Sequence, residues 1–584
     1  MSSSTSSAPH VRSDKEYEYW RWRILLGTMI GYVFFYFVRK SITMAMPGLE
    51  EIGVTKTTLG LFLTIHGVLY GVARFVNGVW SDRVNPRYFM SIGLLLAALT
   101  NVFCGFSSDI ATAIGVTGDS KANLIAWIIG SFWIINGWVQ GMGFPPCAKS
   151  LMHWFAPQEH GIKFATWNIS HSFGAGLVFL LNSFVVVFGW KYCFLVPACL
   201  SILGSIGLFW ALRDSPEKEG FDPVEIYYER KHGVDRAQVA ETAAVVAEEQ
   251  TGWFSDLCKN VFSNWAVWVL CFANFFVYIV RFSILDWAPT FLSQSKGLDL
   301  QSAGWATACY EIFGAFGIIL SGILMDKIFH GRGAKACFVY MCGCLIASFM
   351  FWKLDSESLV LNIFIMSLIG FFIYGPQCLI GCVASTIATK KSGAASSGLT
   401  GLFGYLATIV TGFGVGLIVD SATAPYKDAR DENVRAAVVQ AFNGAVENVD
   451  AKLDKNMLGA LIKASEGSYD SQRSYDNFKG DRESYKGRKI TEKLEKKNAA
   501  LESVVTDIIG GSTVDESILT NVKEMAIQTS IDGRAKISTA GWPRIFGMLV
   551  ASSLIAMILF ALIFNAASPE LRREEDERKA ASKA

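Results

Sequence analysis

The sequence contains little charge for its length. Of its 584 residues, 18% are Asp, Glu, Lys or Arg, whereas a soluble protein carries roughly a quarter. Hydrophobic residues make up 52% and the mean hydropathy is +0.34. Such a composition excludes a disordered, collagen-like or disulfide-framed chain. It predicts a membrane protein, in which long apolar segments face lipid.

The sequence also lacks the features of nucleic-acid binding, metal binding and catalysis. Its 52 basic and 51 acidic residues leave a net charge of +1, so no bulk attraction to nucleic acid is expected. The 12 cysteines lie between Cys104 and Cys382, mostly singly and in apolar stretches, without the spacing of zinc ligands. We find no Walker loop, zinc-protease helix or nucleophile elbow. We therefore expect no metal, no cofactor and no enzymatic activity.

Twelve segments are long and apolar enough to cross a bilayer, which needs about 20 residues each. They group as six plus six, at 24–47, 59–80, 88–107, 122–146, 162–188, 190–212, 265–290, 302–325, 335–353, 359–388, 393–420 and 541–566. We expect an all-α polytopic membrane protein with two pseudo-symmetric six-helix bundles. The predicted parts are a cytoplasmic tail 1–23, a bundle 24–212, a central cytoplasmic loop 213–264, bundle helices 265–420, a polar insertion 421–540, helix 541–566 and a cytoplasmic tail 567–584.

Basic residues in the short loops predict the orientation of the chain. They fall on one side of the membrane if both termini are cytoplasmic, and they are Arg21, Arg23, Arg83, Arg87, Lys149, Lys163, Lys327, Arg332, Lys335, Lys390, Lys391, Arg572, Arg573, Arg578 and Lys579. The start of the chain shows no cleavable signal, because the polar residues are followed by an apolar stretch too long for one.

The polar insertion 421–540 is the one part that does not fit a plain twelve-helix chain. It is rich in charge and has helical periodicity in 434–453 and 488–509, with Gly510-Gly511 as a stop. The predicted topology places it outside the cytoplasm. It is either a solvated helical appendage or a cap that binds a partner or gates the site, and the sequence does not indicate a partner.

The two halves repeat a motif at nearly equal separation. Tyr36-Phe-Val-Arg39-Lys-Ser-Ile in span 1 matches Tyr278-Ile-Val-Arg281-Phe-Ser-Ile in span 7, and a Pro follows each Arg after eight residues. A second pair, Gly78-x-x-x-Asp-Arg and Gly322-x-x-x-Asp-Lys, follows spans 2 and 8. These pairs predict a duplicated six-helix unit.

The repeat gives functional weight to Arg39 and Arg281. An Arg at mid-membrane costs a few kcal/mol and is rarely left facing lipid. Two symmetry-related guanidinium groups near the pseudo-two-fold axis would suit a dianion, since each can grip phosphate oxygens with two hydrogen bonds. The alternative is a structural salt bridge for each Arg. Spans 1 and 7 offer only Asp286 as an acid, so we favour an anion site.

Other embedded polar residues are candidates for the same cavity. Arg74 adds positive potential, His171 is a candidate phosphate donor, and Glu311 is either a counter-ion for an arginine or part of a coupling path. Any single tyrosine or His could also be ordinary packing. The remaining candidates on these helices are Tyr32, Tyr36, Tyr70, Trp167, Asn168, Tyr278, Tyr374 and Tyr405.

The run from Gly78 to Arg87 is a different signal, because it closes a tight cytoplasmic turn. Its acid can pair with charges and a helix end on a neighbouring span, which predicts a conformational latch rather than a substrate site. The latch residues are Gly78, Asp82, Arg83, Arg87 and, in the second half, Asp326.

With these motifs the sequence resembles the major facilitator superfamily and, within it, the organophosphate:phosphate antiporter family. The likeness covers both halves except the N-terminal tail and the insertion. It is carried by the repeated Arg motifs and by Trp138-x-Gln-Gly-x-Gly-x-Pro-Pro-Cys147, Trp167-Asn-x-x-His171, Tyr374-Gly-Pro376 and Gly398-x-x-Gly-x-x-Gly-Tyr405.

The resemblance implies that Arg39 and Arg281 hold phosphate, with help from His171. It implies a secondary antiporter of the inner or plasma membrane that exchanges inorganic phosphate for an organophosphate by rocking of the two halves. Glycerol 3-phosphate is the expected organophosphate, since the runs around Arg281 and Pro145 are most similar to family members that carry it. The chain departs from those members at Arg74, Phe144 and Ser172, where they have Lys, Trp and Asn.

Three other functions remain open. A hexose-6-phosphate exchanger would share every phosphate-binding residue. A receptor of the same fold would bind sugar phosphate without transporting it. A proton-coupled sugar symporter is disfavoured, since a neutral sugar has no use for paired arginines. We expect small-molecule phosphates and the lipid bilayer as partners, no nucleic acid, and a monomer.

Overall fold

The computed structural model describes residues 13–81, 83–156, 159–232, 261–354, 358–387, 393–476, 478, 480–510 and 514–564. These ranges contain helices and no strand, and twelve of the helices are long and apolar enough to cross a membrane. The predicted basic residues Lys390, Lys391, Arg572, Arg573, Arg578 and Lys579, the latch residue Asp82 and the tail 567–584 lie outside the described residues.

The first six spans are Asp14–Glu51, Lys56–Ser81, Pro86–Ala113, Gly118–Gln140, His160–Val185 and Tyr192–Ala211. The last six are Trp265–Ser295, Leu300–Ile323, Gly333–Lys353, Leu359–Ile387, Gly393–Thr408 and Trp542–Leu562. They are called span 1 to span 12 below. Side-chain caps start several of them: the Asn85 and Asn264 amide oxygens each accept from the backbone N–H two residues later, and Asp299 caps span 8.

The chain divides into two compact units, one of Met1–Leu417 with Arg544–Ala584 and one of Ile418–Pro543. In the first unit span 1 packs against spans 5 and 6, and span 7 packs against spans 10 and 11. The two six-helix halves meet where span 2 packs against span 11 and span 5 against span 8. These two interfaces are equivalent under the repeat, as a pseudo-two-fold arrangement requires.

Two polar contacts between the halves lie on the side of the membrane opposite to the start of span 1. The Gln294 side chain donates to Glu50 at 2.9 Å, and each of these residues lies at the far end of its span. The Thr64 hydroxyl donates to the Thr408 carbonyl at 2.9 Å near the start of span 2. Since consecutive spans alternate in direction, both contacts lie on the same side.

Close approach of helix backbones holds the second half together. A Cβ on Gly317 of span 8 would lie 2.0 Å from the Phe371 carbonyl oxygen, and a Cβ on Gly370 of span 10 would lie 2.0 Å from the Tyr310 carbonyl oxygen. Lipid gives little hydrophobic drive for helix association, so packing through small residues is an important source of attraction. Glycine is therefore required at both positions.

Several helix boundaries differ from the sequence prediction by a few residues, and three of the differences have an identifiable physical reason. Span 1 begins at Asp14 rather than 24, because Tyr17 is buried and stacks on Tyr227 with ring centroids 4.1 Å apart. Span 4 was predicted to reach 146 but ends at Gln140, and a separate helix, Phe144–Trp154, follows. The break falls at Gly141-Met-Gly, before two prolines that lack a backbone N–H and start the new helix.

The third difference is in span 11, which was predicted to end at 420. After Gly393–Thr408 the helix widens to π geometry over Ile409–Gly414 and then continues as Val415–Phe442. It continues because its later part contributes apolar side chains to the core of the second unit, although the intervening residues are polar. Those buried side chains are Val434, Val438 and Phe442.

The second unit is helical, with Lys455–Asp476, Tyr485–Ile509 and Glu516–Thr539 packed around an apolar core. The helix Tyr485–Ile509 ends with Gly510 in the left-handed region at φ 61°, which favours glycine. The predicted helical piece 434–453 is interrupted at Asn443, which has a φ of 45°. Arg430 pairs with Glu466 at 3.0 Å; burial raises the pKa of this carboxyl group, and the Arg430 charge opposes that change.

Candidate functional site

Span 1 and span 7 bring the two repeated arginines to the interior of the first unit. Arg281 is 6% exposed, and Arg39 is half-buried. Each helix carries its Pro within the helix, Pro47 in span 1 and Pro289 in span 7. The repeat detected in the sequence is therefore also a repeat of local structure.

Tyrosine rings surround both guanidinium groups. The guanidinium carbon of Arg39 lies 3.8 Å from the centroid of the Tyr70 ring and 5.5 Å from that of Tyr36. For Arg281 the corresponding distance to Tyr374 is 4.9 Å, and its Nη2 donates to the Tyr374 hydroxyl at 3.3 Å. Cation–π contacts of this kind stabilise an arginine in a dry interior without neutralising its charge.

Three side chains, Tyr36, Tyr405 and His171, are each close enough to interact electrostatically with both Arg39 and Arg281. Tyr405 also contacts Tyr70 and Tyr278, with ring centroids 5.6 and 6.0 Å apart. The structure therefore gathers residues from both halves around one region between the arginines.

Among the described residues, no acid forms an ion pair with the arginines, although the buried Glu311 interacts electrostatically with Arg281. In the described part of the chain, no carboxylate oxygen lies within 4.0 Å of Arg39, Arg74 or Arg281. Asp286, the one acid that the sequence offered as a partner, instead accepts from the Lys40 ammonium at 2.5 Å. Both partners of this ion pair are buried, and it joins span 1 to span 7.

One polar group of Arg281 is buried without a partner. Among the described residues, its Nε donates no hydrogen bond. Glu311 is fully buried in span 8 and interacts electrostatically with Arg281 and Tyr374. An unsatisfied buried donor costs about 1–3 kcal/mol, so this Nε is a donor that a group with a free acceptor could satisfy.

The other predicted residues form the wall on the side of the first half. The guanidinium carbon of Arg74 lies 3.9 Å from the Phe144 ring centroid, and Arg74 interacts electrostatically with Tyr70 and Tyr405. Trp167 is buried, with its ring centroid 4.7 Å from that of Tyr32. Asn168 is half-buried on the same helix, one turn before His171.

The predicted latch residues lie apart from this group. Arg83 is exposed in the turn between spans 2 and 3, and Arg87 donates through Nε to the Phe209 carbonyl at 2.6 Å, next to the end of span 6. Asp326 is exposed just after span 8. A Cβ on Gly78 would meet open space, so close packing does not explain this glycine.

The sequence did not single out two residues beside the arginines. Lys40 was visible only as the neighbour of Arg39, and its pairing with Asp286 depends on the register of two helices that are 246 residues apart. His66 is a lone histidine in an apolar helix, and this pattern by itself does not indicate a functional residue. Within the described ranges, no group of three or more His, Cys, Asp or Glu is arranged to hold a metal ion.

Comparison with known proteins identifies the fold family. Residues 28–412 match the family described as Major Facilitator Superfamily. The chain belongs to this superfamily. The prediction of twelve membrane helices in two bundles is confirmed, and the family shows a multi-pass membrane transporter rather than an enzyme.

Several relatives align with this chain over most of their own length. The chain is 36% identical over 410 residues to a probable hexose phosphate transport protein of Chlamydia pneumoniae, covering 70% of this chain and 87% of that protein. It is 37% identical over 408 residues to the glycerol-3-phosphate transporter of Bacillus subtilis strain 168, with 68% and 87% covered. It is 33% identical over 410 residues to the membrane sensor protein UhpC of Escherichia coli K12, with 70% and 88% covered.

A solved structure supports the fold alone. The inward-facing, unoccupied form of a bacterial homologue of the human lysosomal transporter Spinster is 14% identical to this chain. The comparison covers 94% of this chain and 99% of that one, with a TM-score of 0.58. Its likeness concerns the helical architecture and carries no statement about the ligand.

Proposed function

We propose that the chain is a secondary active antiporter that exchanges inorganic phosphate for an organophosphate, with glycerol 3-phosphate as the preferred one. The observation that carries the proposal is the pair of arginines from opposite halves. They share the neighbours Tyr36, Tyr405 and His171 and have no carboxylate partner within 4.0 Å in the described ranges. Relatives that transport glycerol 3-phosphate and hexose phosphate support the same class of substrate.

A phosphate dianion matches the charge and the donors of this region. Each guanidinium can donate two parallel hydrogen bonds to phosphate oxygens. The free Nε of Arg281 is one such donor, and Arg74 adds positive potential from span 2. An imidazole at His171 adds a further donor or acceptor between the arginines.

Binding of one dianion by both halves would couple the ligand to alternating access. Phosphate held by span 1 and span 7 would draw the halves together over the site. Exchange requires that the ligand bind the closed-over form more tightly than either open form. Packing of span 2 on span 11 and of span 5 on span 8 gives the halves two equivalent hinge regions for such rocking.

The membrane placement belongs to the same proposal. A plasma or inner membrane, with both termini in the cytoplasm, accounts for the basic residues of the short loops. In that orientation the contacts between the halves close the extracytoplasmic side, and the insertion 421–540 is extracytoplasmic. The chain would act as a monomer, with the lipid bilayer and small phosphates as its partners.

Two other functions have support from named relatives. The Chlamydia relative favours exchange of hexose 6-phosphate, which would use the same arginines. The UhpC relative favours a receptor that binds sugar phosphate without moving it. A sensor would keep the arginines and lose turnover, so transport and binding must be measured separately.

The test is uptake of labelled phosphate into proteoliposomes preloaded with phosphate. External glycerol 3-phosphate and glucose 6-phosphate compete in separate arms, and vesicles without internal phosphate are the control. We expect uptake that depends on internal phosphate and is inhibited most strongly by glycerol 3-phosphate. Stronger inhibition by glucose 6-phosphate would name the hexose exchanger. Binding without exchange would establish the receptor. If the protein shows no binding and no exchange, the phosphate proposal is wrong.

A further inference from the structure

A small polar pocket opens beside Arg39, and spans 2 and 4 contribute His66 and Trp133 to its lining. Its walls come from both halves, with Arg39, His66 and Trp133 on one side and Phe282, Asp286 and Tyr405 on the other. Arg39 and Tyr405 thus belong both to this pocket and to the region between the arginines. The pocket therefore adjoins the region that we assign to phosphate.

His66 is held rigidly in the wall of this pocket. It is 6% exposed, its ring lies 5.0 Å from that of Trp133 at an interplanar angle of 27°, and its Nε2 is 3.1 Å from Asn136 Oδ1. The Asn136 Nδ2 donates to the Thr100 hydroxyl at 2.8 Å and to the Ala97 carbonyl at 3.1 Å. A network of this kind fixes both the position and the orientation of the ring.

The same network determines which ring nitrogen of His66 carries the proton. A carbonyl accepts only, so the amide nitrogen of Asn136 must face Ala97, and Oδ1 must face His66. Oδ1 is an acceptor, and Nε2 therefore donates to it. In the neutral ring Nδ1 is then an acceptor, and no hydrogen bond to it is found among the described residues.

The charges around the pocket favour an uncharged ligand group. Lys40 and Asp286 both line it, and they neutralise each other in their ion pair. Arg39 is the remaining charge and faces the phosphate region as well. An acceptor in a buried pocket of this kind suits the hydroxyl of a polyol, which can donate to Nδ1 without adding charge.

We propose that His66 is a specificity-determining residue whose Nδ1 accepts a hydrogen bond from a hydroxyl of the organic half of the substrate. This inference rests on the proposed exchange of organophosphate and phosphate. It assigns the pocket between Arg39 and Trp133 to the part of the ligand that inorganic phosphate lacks. A site built to bond a hydroxyl discriminates strongly against analogues without one, because its polar group is then left unpaired.

The test measures inhibition of phosphate–phosphate exchange in proteoliposomes of the full chain. The competitors are glycerol 3-phosphate, glucose 6-phosphate and ethyl phosphate, which carries no free hydroxyl on its organic half. His66→Phe keeps a flat ring against Trp133 and removes the acceptor, and His66→Gln restores a carbonyl acceptor. The matched control is His153→Phe, because His153 is an exposed histidine in the same half.

We expect His66→Phe to weaken the inhibition of exchange by a hydroxylated competitor about tenfold, relative to the inhibition by ethyl phosphate. The loss of one buried hydrogen bond implies a change of this size. His66→Gln should recover part of that loss, and His153→Phe should change neither ratio. The compound whose inhibition is weakened, glycerol 3-phosphate or glucose 6-phosphate, is the one whose hydroxyl bonds to His66. Equal weakening of ethyl phosphate and the hydroxylated competitors, or no change in any of them, would overturn the proposal.

A second measurement applies if His66→Phe does not fold. In the wild-type protein, ethyl phosphate must compete less well than the preferred hydroxylated phosphate, and equal competition by both would also overturn the proposal. These outcomes differ from a failure of the proposed function. In that case the wild-type protein would show no phosphate exchange at all.

Discussion

Buried cations in this protein have two different environments. Lys40 is paired with Asp286, whereas Arg281, one of the two repeated arginines, is surrounded by tyrosines and keeps an unsatisfied Nε. The first arrangement is complete without a ligand, and the second is not. This difference between neighbouring basic residues is the basis for assigning the arginines to an anion and the lysine to the protein's own structure.

The buried pair predicts a specific pattern of stability. Lys40→Met or Asp286→Leu alone leaves an uncompensated charge in the interior and should destabilise the protein by about 3–5 kcal/mol. The double variant removes both charges and should recover most of that loss. The measurement is the thermal unfolding of the purified protein in detergent.

The control for this prediction is the pair Lys191–Asp109, which is 3.4 Å apart and partly exposed to solvent, so Lys191→Met should cost only about 0–1 kcal/mol. A double variant as unstable as either single one, or an equal effect of Lys191→Met, would contradict the structural role of the Lys40–Asp286 pair.

For single residues, the sequence predicts which side chains have a function better than it predicts which side chains they contact. The repeat and the membrane position were enough to select Arg39 and Arg281, because their offset is visible along the chain. The partner of Asp286 was open, because Arg281 lies five residues away on the same helix, whereas Lys40 lies 246 residues away and meets Asp286 only in the register of spans 1 and 7. The orientation of His66 depends on Asn136, 70 residues away, and no linear pattern carries that information.

Helices of the second half are held by contacts that tolerate no side chain. Gly317 and Gly370 place the backbones of spans 8 and 10 in direct contact. Span 8 also carries Glu311, and span 10 carries Tyr374. The packing of these two spans therefore positions two side chains next to Arg281. Helix packing and the candidate site are therefore linked through spans 8 and 10.

The backbone contact predicts that Gly317→Ala destabilises the protein strongly, by about 1–3 kcal/mol or more, because its Cβ would meet the Phe371 carbonyl oxygen. Gly207→Ala is the matched control in span 6, where a Cβ meets no atom within 4 Å. That change should be neutral or slightly stabilising, since Ala is the better helix former. Thermal unfolding of both variants decides the matter, and an equal effect of the two would refute the packing argument.

Element boundaries could be predicted where turn chemistry is strong. Gly141 and Gly143 with the following prolines are the signal for the break after Gln140, although the sequence prediction carried the helix to 146. The extension of span 11 could not be predicted from hydropathy. Its polar residues after 420 look like the start of a loop, and the reason for their helix is the apolar core around Phe442.

The whole first unit is a two-fold arrangement with one candidate site between its halves. Spans 1 and 7 each supply an arginine, and spans 2, 5, 8, 10 and 11 supply the surrounding polar and aromatic groups. The fold class followed from composition, span count and repeat, and the family followed from the resemblance of the motifs, because these are properties of the sequence itself. The placement of the halves and the meeting of the two arginines required the structure, and their common ligand is our proposal.

The central claim is that Arg39 and Arg281 bind one phosphate together, and calorimetric titration of the purified protein with phosphate tests it most directly. Lys keeps the charge but cannot form the two-pronged contact, so Arg39→Lys and Arg281→Lys should each weaken binding by about tenfold or more. The control is Arg435→Lys in the second unit, which should bind normally.

A shared ligand also predicts coupling between the two changes, because the second substitution removes a contact already weakened by the first. The double variant Arg39→Lys/Arg281→Lys should therefore lose less affinity than the product of the single losses. Near-normal binding by Arg281→Lys, or losses that multiply as for independent sites, would contradict the account.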